Sequence, residues 1–174
     1  MIFTSEQVSC GHPDKICDQI SDAIVTDCLQ HDKLSRVAVE CMIKDYQITI
    51  AGEITSSHLP NYVLLTRTVL NRIGLPHVGR YQVRTIITQQ SPDIALGVDG
   101  NHGAGDQGMM FGYATDETPE MLPIPFAVAT RALQTLREFS SALFLPDAKA
   151  QVSFDYDSWK ITSFLISTQH QADI

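Results

Sequence analysis

A chain of 174 residues suffices for one domain or two small ones, and 44% apolar with 18% charged residues excludes a disordered or fibrous protein. A formal net charge of −8 argues against a duplex nucleic acid as partner, since there is no cation excess to neutralise a row of phosphates; a small polyphosphate, needing a few local cations and a metal, stays open. No apolar run approaches the ~18 residues of a membrane span, and MIFTSEQVSC has neither the basic nor the apolar region of a signal peptide, so neither a membrane nor an export signal is expected.

Residues 2–8 read as a strand. From 12 to about 31, Ile16, Ile20, Ile24 and Cys28 recur every four residues, the core stripe of an amphipathic helix. The stretch that opens it, VSCGHPDKICDQ, fits two readings. Pro13 suits a first helical turn and Asp14 complements the positive end of the helix dipole, as in plain capping. Capping requires neither His12 nor Lys15, so a reactive site on a helix start fits equally well. Asp14, Asp18 and Asp22 make a second row one turn apart, of which Asp18 and Asp22 read as a solvated acidic face.

SRVAVECMIKD and YQITIAGEIT alternate as strands and turn near Asp45, which predicts a hairpin. Glu40 and Glu53 lie on its two arms among apolar neighbours. Either they are paired or bound to a cation, because a buried carboxylate costs several kcal/mol otherwise, or both point to solvent on the alternating face. Pro60 opens a second helix through Val63, Leu64, Val69, Leu70 and Ile73, ended by Gly74 and Pro76. YQVRTIITQ is a further strand.

QSPDIALGVDGNHGAGDQG has no period, and a loop this long in a compact domain is a functional lid or disordered. Its GAGDQG formally matches the dinucleotide fingerprint, but a loop precedes it and β-like MMFGYAT follows, so the strand–turn–helix context is wrong. The glycines either bring backbone close to a ligand while presenting Asp106, or make a plain bulge. MMFGYAT predicts a strand, and residues 125 to about 142 a helix carrying Phe126, Ala129, Leu133 and Leu136. KAQVSFDY and WKITSFLIST form a second hairpin, turning at Asp157 and Ser158. Lys149 of PDAKAQV, following Asp147, taken alone is an ordinary surface lysine. Cys10, Cys17, Cys28 and Cys41 show no CxxC spacing and no clustered histidine ligands, Cys17 and Cys28 falling on the apolar side of the first helix. A reduced, cytoplasmic compartment without a structural zinc site is expected.

The order strand, helix, hairpin occurs over about 2–55 and again over about 108–168, with RVAVECMIKDYQITI matching AQVSFDYDSWKITSF in pattern. Such self-similarity predicts a duplicated α+β unit whose sheets pack by one face and carry helices on the other. After Thr168 no second helix matches the one that Pro60 opens. Apolar sheet left uncovered there predicts a partner.

Taken in order, VSCGHPDK, AGEIT, QQSPDI, GAGDQGMMFGYAT, PDAKAQV and STQH resemble the blocks of the methionine adenosyltransferase (S-adenosylmethionine synthetase) family, from Phe3 to the last residues. The resemblance implies an α+β fold of intertwined β-α-β-β-α-β repeats. This chain would hold the first repeat, 1–101, ending in a gate loop, and most of the central one, 102–174, without the C-terminal repeat. It implies S-adenosylmethionine formation: methionine sulfur attacks C5′ of ATP, and the expelled triphosphate is hydrolysed to phosphate and pyrophosphate.

Carried over by position, His12 donates to the oxygen leaving C5′ and is catalytic together with Lys149. Glu6, Lys15, Asp147, Lys149 and Ser167 join His12 around ATP. Asp14 holds Mg2+, Glu40 ligates K+, and Glu53, Gln90 and Asp106 take the polar end of methionine. Gln90, Ser91, Pro92, Asp93 and Gly103 belong to the gate. Cys10 departs from a family Glu, Ala51 from a Gly, Leu145 from an Arg and Thr130 from a His, and the gate is shorter. Because the family's last third carries further phosphate-binding residues, the expectation is an N-terminal subunit, active only in a hetero-oligomer with a C-terminal partner chain met across flat sheet faces. The alternatives are a piece of a full-length synthetase, and a non-catalytic regulatory subunit docked on a full enzyme.

Overall fold

The computed structural model describes residues 1–93, 106–139 (the backbone alone at 139) and 143–171. In chain order these form β1 (Ile2–Val8), α1 (Pro13–His31), β2 (Arg36–Lys44), β3 (Gln47–Thr55), α2 (Tyr62–Ile73), a 3-10 turn (Val78–Arg80), β4 (Gln82–Thr88), α3 (Ile124–Phe139), β5 (Phe144–Asp155) and β6 (Lys160–His170). The fold is α+β. One sheet is antiparallel in the order β1-β5-β6; the other is β2-β3-β4, with β3 and β4 parallel. The chain divides into two compact units: Met1–Ile16 with Arg72–Pro76 and Gly112–Ile174, and Cys17–Asn71 with His77–Phe111.

In the first unit β5 is the central strand. Ala148, Ala150, Val152 and Phe154 alternate along it and are buried, and α3 packs over β5 and β1. Alanines on both sides of that contact, Ala129 of α3 and Ala148 and Ala150 of β5, allow close approach, and Leu133 fills the remaining space. The register sets Ile166 and Phe164 of β6 opposite Ala150 and Val152, hence on the same apolar face. Yet Phe164 and Ile161 stay exposed, being on the strand farthest from α3.

In the second unit the β2–β3 hairpin turns at Asp45, whose φ of 51° an Asp tolerates in the left-handed region. One face of β3 (Ile48, Ile50, Ile54) is buried, as are Ile20, Ile24 and Cys28 of α1 and Thr66, Val69 and Leu70 of α2. Gly52 has φ 145°, and a Cβ there would strike the Ala38 carbonyl oxygen, so this position admits only glycine.

The periodicity of α1, of both hairpins and of α2 is realised. MMFGYAT is not a strand: Met109 to Thr115 take no regular structure, with Met110 95% and Phe111 89% exposed. A β-prone composition becomes a strand only where an edge is available to pair with, and among the described residues none does so. Cys28 is buried as expected, whereas Cys17 is only partly so, and none of the four cysteines is in a disulfide. No helix among the described residues is long and apolar enough to cross a membrane.

Candidate functional site

After β1 ends at Val8, which lies opposite Lys149, the chain runs alongside the first residues of β5 before entering α1. The Ser9 N–H donates to the Ala148 carbonyl at 2.8 Å, and the Gly11 N–H to the Pro146 carbonyl at 3.2 Å. The Ser9 hydroxyl donates to the same Pro146 oxygen at 2.5 Å and accepts from the Ala148 N–H at 2.7 Å. Gly11 is buried, and a Cβ on it would overlap the side chain and carbonyl of Pro146. Glycine is therefore dictated by close approach. The GHPDK and PDAK motifs, distant in sequence, become one place.

The helix starts from this staple. The His12 carbonyl accepts the Ile16 N–H at 2.9 Å, and His12 Nδ1 accepts the Asp14 N–H at 3.3 Å. His12 thus occupies the N-cap position, with Pro13 in the first turn. An Nδ1 that accepts leaves Nε2 as the protonated, donating nitrogen of the neutral ring. Sequence reasoning held that capping did not require His12; the structure assigns the cap to it. Asp14 is open to solvent, with Oδ2 3.7 Å from His12 Nδ1, and Lys15 is exposed.

On the sheet face turned away from α3, the register aligns Glu6 of β1 with Gln151, and Lys149 of β5 with Ser167 of β6. Lys149 Nζ pairs with Glu6 Oε2 at 2.9 Å; both side chains are about half exposed, so solvent screens the pair and it orients the lysine more than it stabilises the fold. Asp147 lies in the irregular stretch of pairing between Phe144 and Ala148 and is half-buried. His12, Asp14, Lys15, Glu6, Asp147, Lys149 and Ser167 all belong to the first unit.

The remaining candidates belong to the second unit. Glu40 faces Ala51 and Glu53 faces Ala38 across the hairpin, so the two carboxylates are diagonal neighbours on the face opposite the Ile48 and Ile50 core. Of the two, only Glu40 is exposed to solvent; Glu53 is partly buried on that face. Gln90 Oε1 accepts from Arg36 Nε at 2.9 Å, tying the strand's exit to the start of β2. The Ser91 hydroxyl accepts the Asp93 N–H at 3.3 Å, and Pro92 is exposed. Asp106 is exposed and accepts the Gln107 N–H at 2.7 Å. Gly103 and the rest of the gate over 94–105 lie outside the described residues.

Two of the positions that depart from the family pattern acquire partners. Cys10 Sγ accepts from Arg137 Nη1 of α3 at 2.6 Å. Thr130 donates to the Phe126 carbonyl at 2.9 Å and accepts from Gln7 Nε2 at 3.4 Å. Leu145 lines a cavity of about 290 Å3 together with Ser9, Arg72, Leu133 and Arg137. Sequence reasoning missed Ser9 and Arg137. A hydroxyl at a strand exit two residues before a glycine was a usable signal for Ser9; nothing local announces Arg137.

A structural acid holds the entry to α3. Glu117 accepts from the Tyr156 hydroxyl at 2.5 Å, the Ile124 N–H at 3.1 Å and the Thr115 hydroxyl at 3.0 Å. The Tyr156 hydrogen bond, foremost, holds its carboxyl below the ordinary value, while burial and then Glu117 push Tyr156 up to about 12.

Two family models divide the chain between them: S-adenosylmethionine synthetase, N-terminal domain, over residues 1–92, and S-adenosylmethionine synthetase, central domain, over 101–174. The chain belongs to the S-adenosylmethionine synthetase family. It is 44% identical over 197 aligned positions to an S-adenosylmethionine synthase of Prochlorococcus marinus (strain MIT 9515), covering 99% of this chain and 48% of that protein. A second relative, an S-adenosylmethionine synthase of Nocardia farcinica (strain IFM 10152), is 42% identical over 200 positions, covering 99% and 50%. The chain thus spans about half the length of the curated relatives it matches. Alignments longer than the chain mean that the relatives carry residues with no counterpart here.

Proposed function

We propose that this chain forms S-adenosylmethionine from ATP and methionine, as the N-terminal part of a synthetase whose C-terminal portion is supplied by another polypeptide. The observation that carries this reading is the Ser9–Gly11 staple on Pro146, which sets His12 and Asp14 beside the strand bearing Asp147 and Lys149. A cytoplasmic location accords with four cysteines outside any disulfide. Residues 1–101 and 102–174 serve as the N-terminal and central repeats.

Sulfur needs no general base to attack C5′, so the barrier lies in charge gathering on the departing triphosphate oxygen. His12 carries its proton on Nε2 and donates that hydrogen bond to the leaving oxygen. Lys149, oriented by Glu6, counters negative charge near C5′, and Lys15 counters it on the phosphates. The helix start adds its unsatisfied N–H groups. Asp147 holds the ribose and Ser167 the adenine edge. Glu53, Gln90 and Asp106 hold the polar end of methionine, with Ser91, Pro92 and Asp93 following Gln90 at the start of the gate.

The donor set fits the family's cations in part. Mg2+ takes few protein carboxylates and fills its shell with water and phosphate oxygens, so the open carboxylate of Asp14 suffices as this chain's ligand. Glu40 fits as one K+ ligand among several. Bound Mg2+ neutralises triphosphate charge.

The test is S-adenosylmethionine formation by the chain with and without the C-terminal half of a relative. Turnover in the mixture alone is expected; turnover by the chain alone would overturn the dependence on a second polypeptide. No turnover in either would leave the non-catalytic subunit as the better reading.

A further inference from the structure

The last turn of α1 brings together side chains that none of the family blocks contains. Asp27 and His31 lie one helical turn apart, and His58 enters from the segment between β3 and α2. His58 Nε2 is 2.7 Å from Asp27 Oδ2. His31 Nδ1 is 2.8 Å from the Asp27 carbonyl oxygen and 3.8 Å from Asp27 Oδ1. One ligand atom from each of the three side chains lies within 4.8 Å of the other two. The sequence suggested no clustered histidine ligands; the fold makes such a cluster from residues separated by a whole hairpin.

The two imidazoles stack, with centroids 4.0 Å apart and planes at 11°. Each ring turns one nitrogen toward Asp27, His58 to its carboxylate and His31 to its backbone carbonyl. A divalent cation held by both ring nitrogens and the carboxylate uses this convergence. Asp27 and His58 are largely shielded (side chains 21% and 26% exposed), while His31, at 53%, leaves one side open. The His58 segment is fixed by its own bonds. Ser57 donates its N–H and its hydroxyl to Asp32 Oδ2 at 2.8 and 3.0 Å, the His58 N–H donates to the Ser56 hydroxyl at 3.0 Å, and the Ser35 hydroxyl donates to that of Ser56 at 2.7 Å. The His58 arm of the site is therefore held in place before any ligand arrives. The negative end of α1 adds attraction for a cation.

We propose that Asp27, His31 and His58 bind a borderline first-row divalent cation of the zinc type. Two imidazoles and one carboxylate match that class, whereas Mg2+ and Ca2+ prefer oxygen alone. On binding, each histidine exchanges its proton through water to the other ring nitrogen, His58 to Nδ1 and His31 to Nε2, so that both bind as neutral imidazoles with no net proton loss, and His31 gives up its hydrogen bond to the Asp27 carbonyl. Water completes the shell on the open side.

Co2+ titrated into the full chain tests this. One equivalent is expected to give visible d–d bands of nitrogen and oxygen coordination without a thiolate charge-transfer band, and Zn2+ should bleach them. Asp27→Asn, His31→Asn and His58→Asn should each weaken Co2+ at least ~10-fold, and His12→Asn should leave it unchanged. His31 is exposed enough that its replacement spares the fold, which circular dichroism checks. Absence of a saturable spectrum, a thiolate band, or undiminished binding by the His31 variant would overturn the proposal and leave a hydrogen-bonded cluster closing the helix.

Discussion

Gly11 and His12 each answer to two demands at once. Gly11 must lack a Cβ because Pro146 occupies the space, and its N–H anchors the loop to the Pro146 carbonyl. Gly11→Ala is expected to cost about 1–3 kcal/mol through overpacking, read as a lowered unfolding midpoint in urea; an unchanged midpoint would mean the loop yields freely. His12 caps α1 through Nδ1, so His12→Ala should cost about 0.5–2 kcal/mol while His12→Asn, a competent cap, costs almost nothing. At this scale the sequence was informative about which residues mattered, since GHPDK and PDAK stood out as motifs. It was silent on how they meet, because Ser9 and Pro146 are joined by tertiary hydrogen bonds that leave no local pattern.

Helix α3 depends on two devices, the alanine-lined contact with β5 and the Glu117 clasp at its start. Leu133→Ala truncates the largest side chain of that core cluster and should cost about 2–5 kcal/mol. Glu117 makes an acid limb predictable. Its carboxyl is held below the usual value in the fold, so its contribution is complete above an ordinary Glu pKa of about 4.3 and is lost as pH falls through the depressed value. Glu117→Gln should flatten the fall in thermal midpoint below about pH 4.3; an equally steep fall would place the titrating group elsewhere. Periodicity revealed α1, α2, α3 and both hairpins, because each buries a face whose spacing is written in the chain. The pairing of β1 with β5 and the absence of a strand at Met109–Thr115 were not legible, for a strand exists only where another edge meets it.

Across the whole molecule, the exposed apolar side chains of β6, Ile161 and Phe164, are the surface that the proposed C-terminal polypeptide would cover. If a C-terminal polypeptide covers that face, amide exchange over residues 160–170 should slow on mixing; unchanged exchange there would put the interface somewhere else. The family fold was readable from six ordered blocks, whereas the Asp27–His31–His58 cluster was not, since its three members belong to none of them. The central claim is that the stapled helix start performs adenosyl transfer. Its most direct test is the rate of S-adenosylmethionine formation by His12→Asn in the reconstituted mixture, where the cap survives and the imidazole donor does not. The account predicts a loss of at least ~100-fold with an unaltered unfolding midpoint; a rate within about twofold of the unmodified chain would reduce His12 to a helix cap and contradict it.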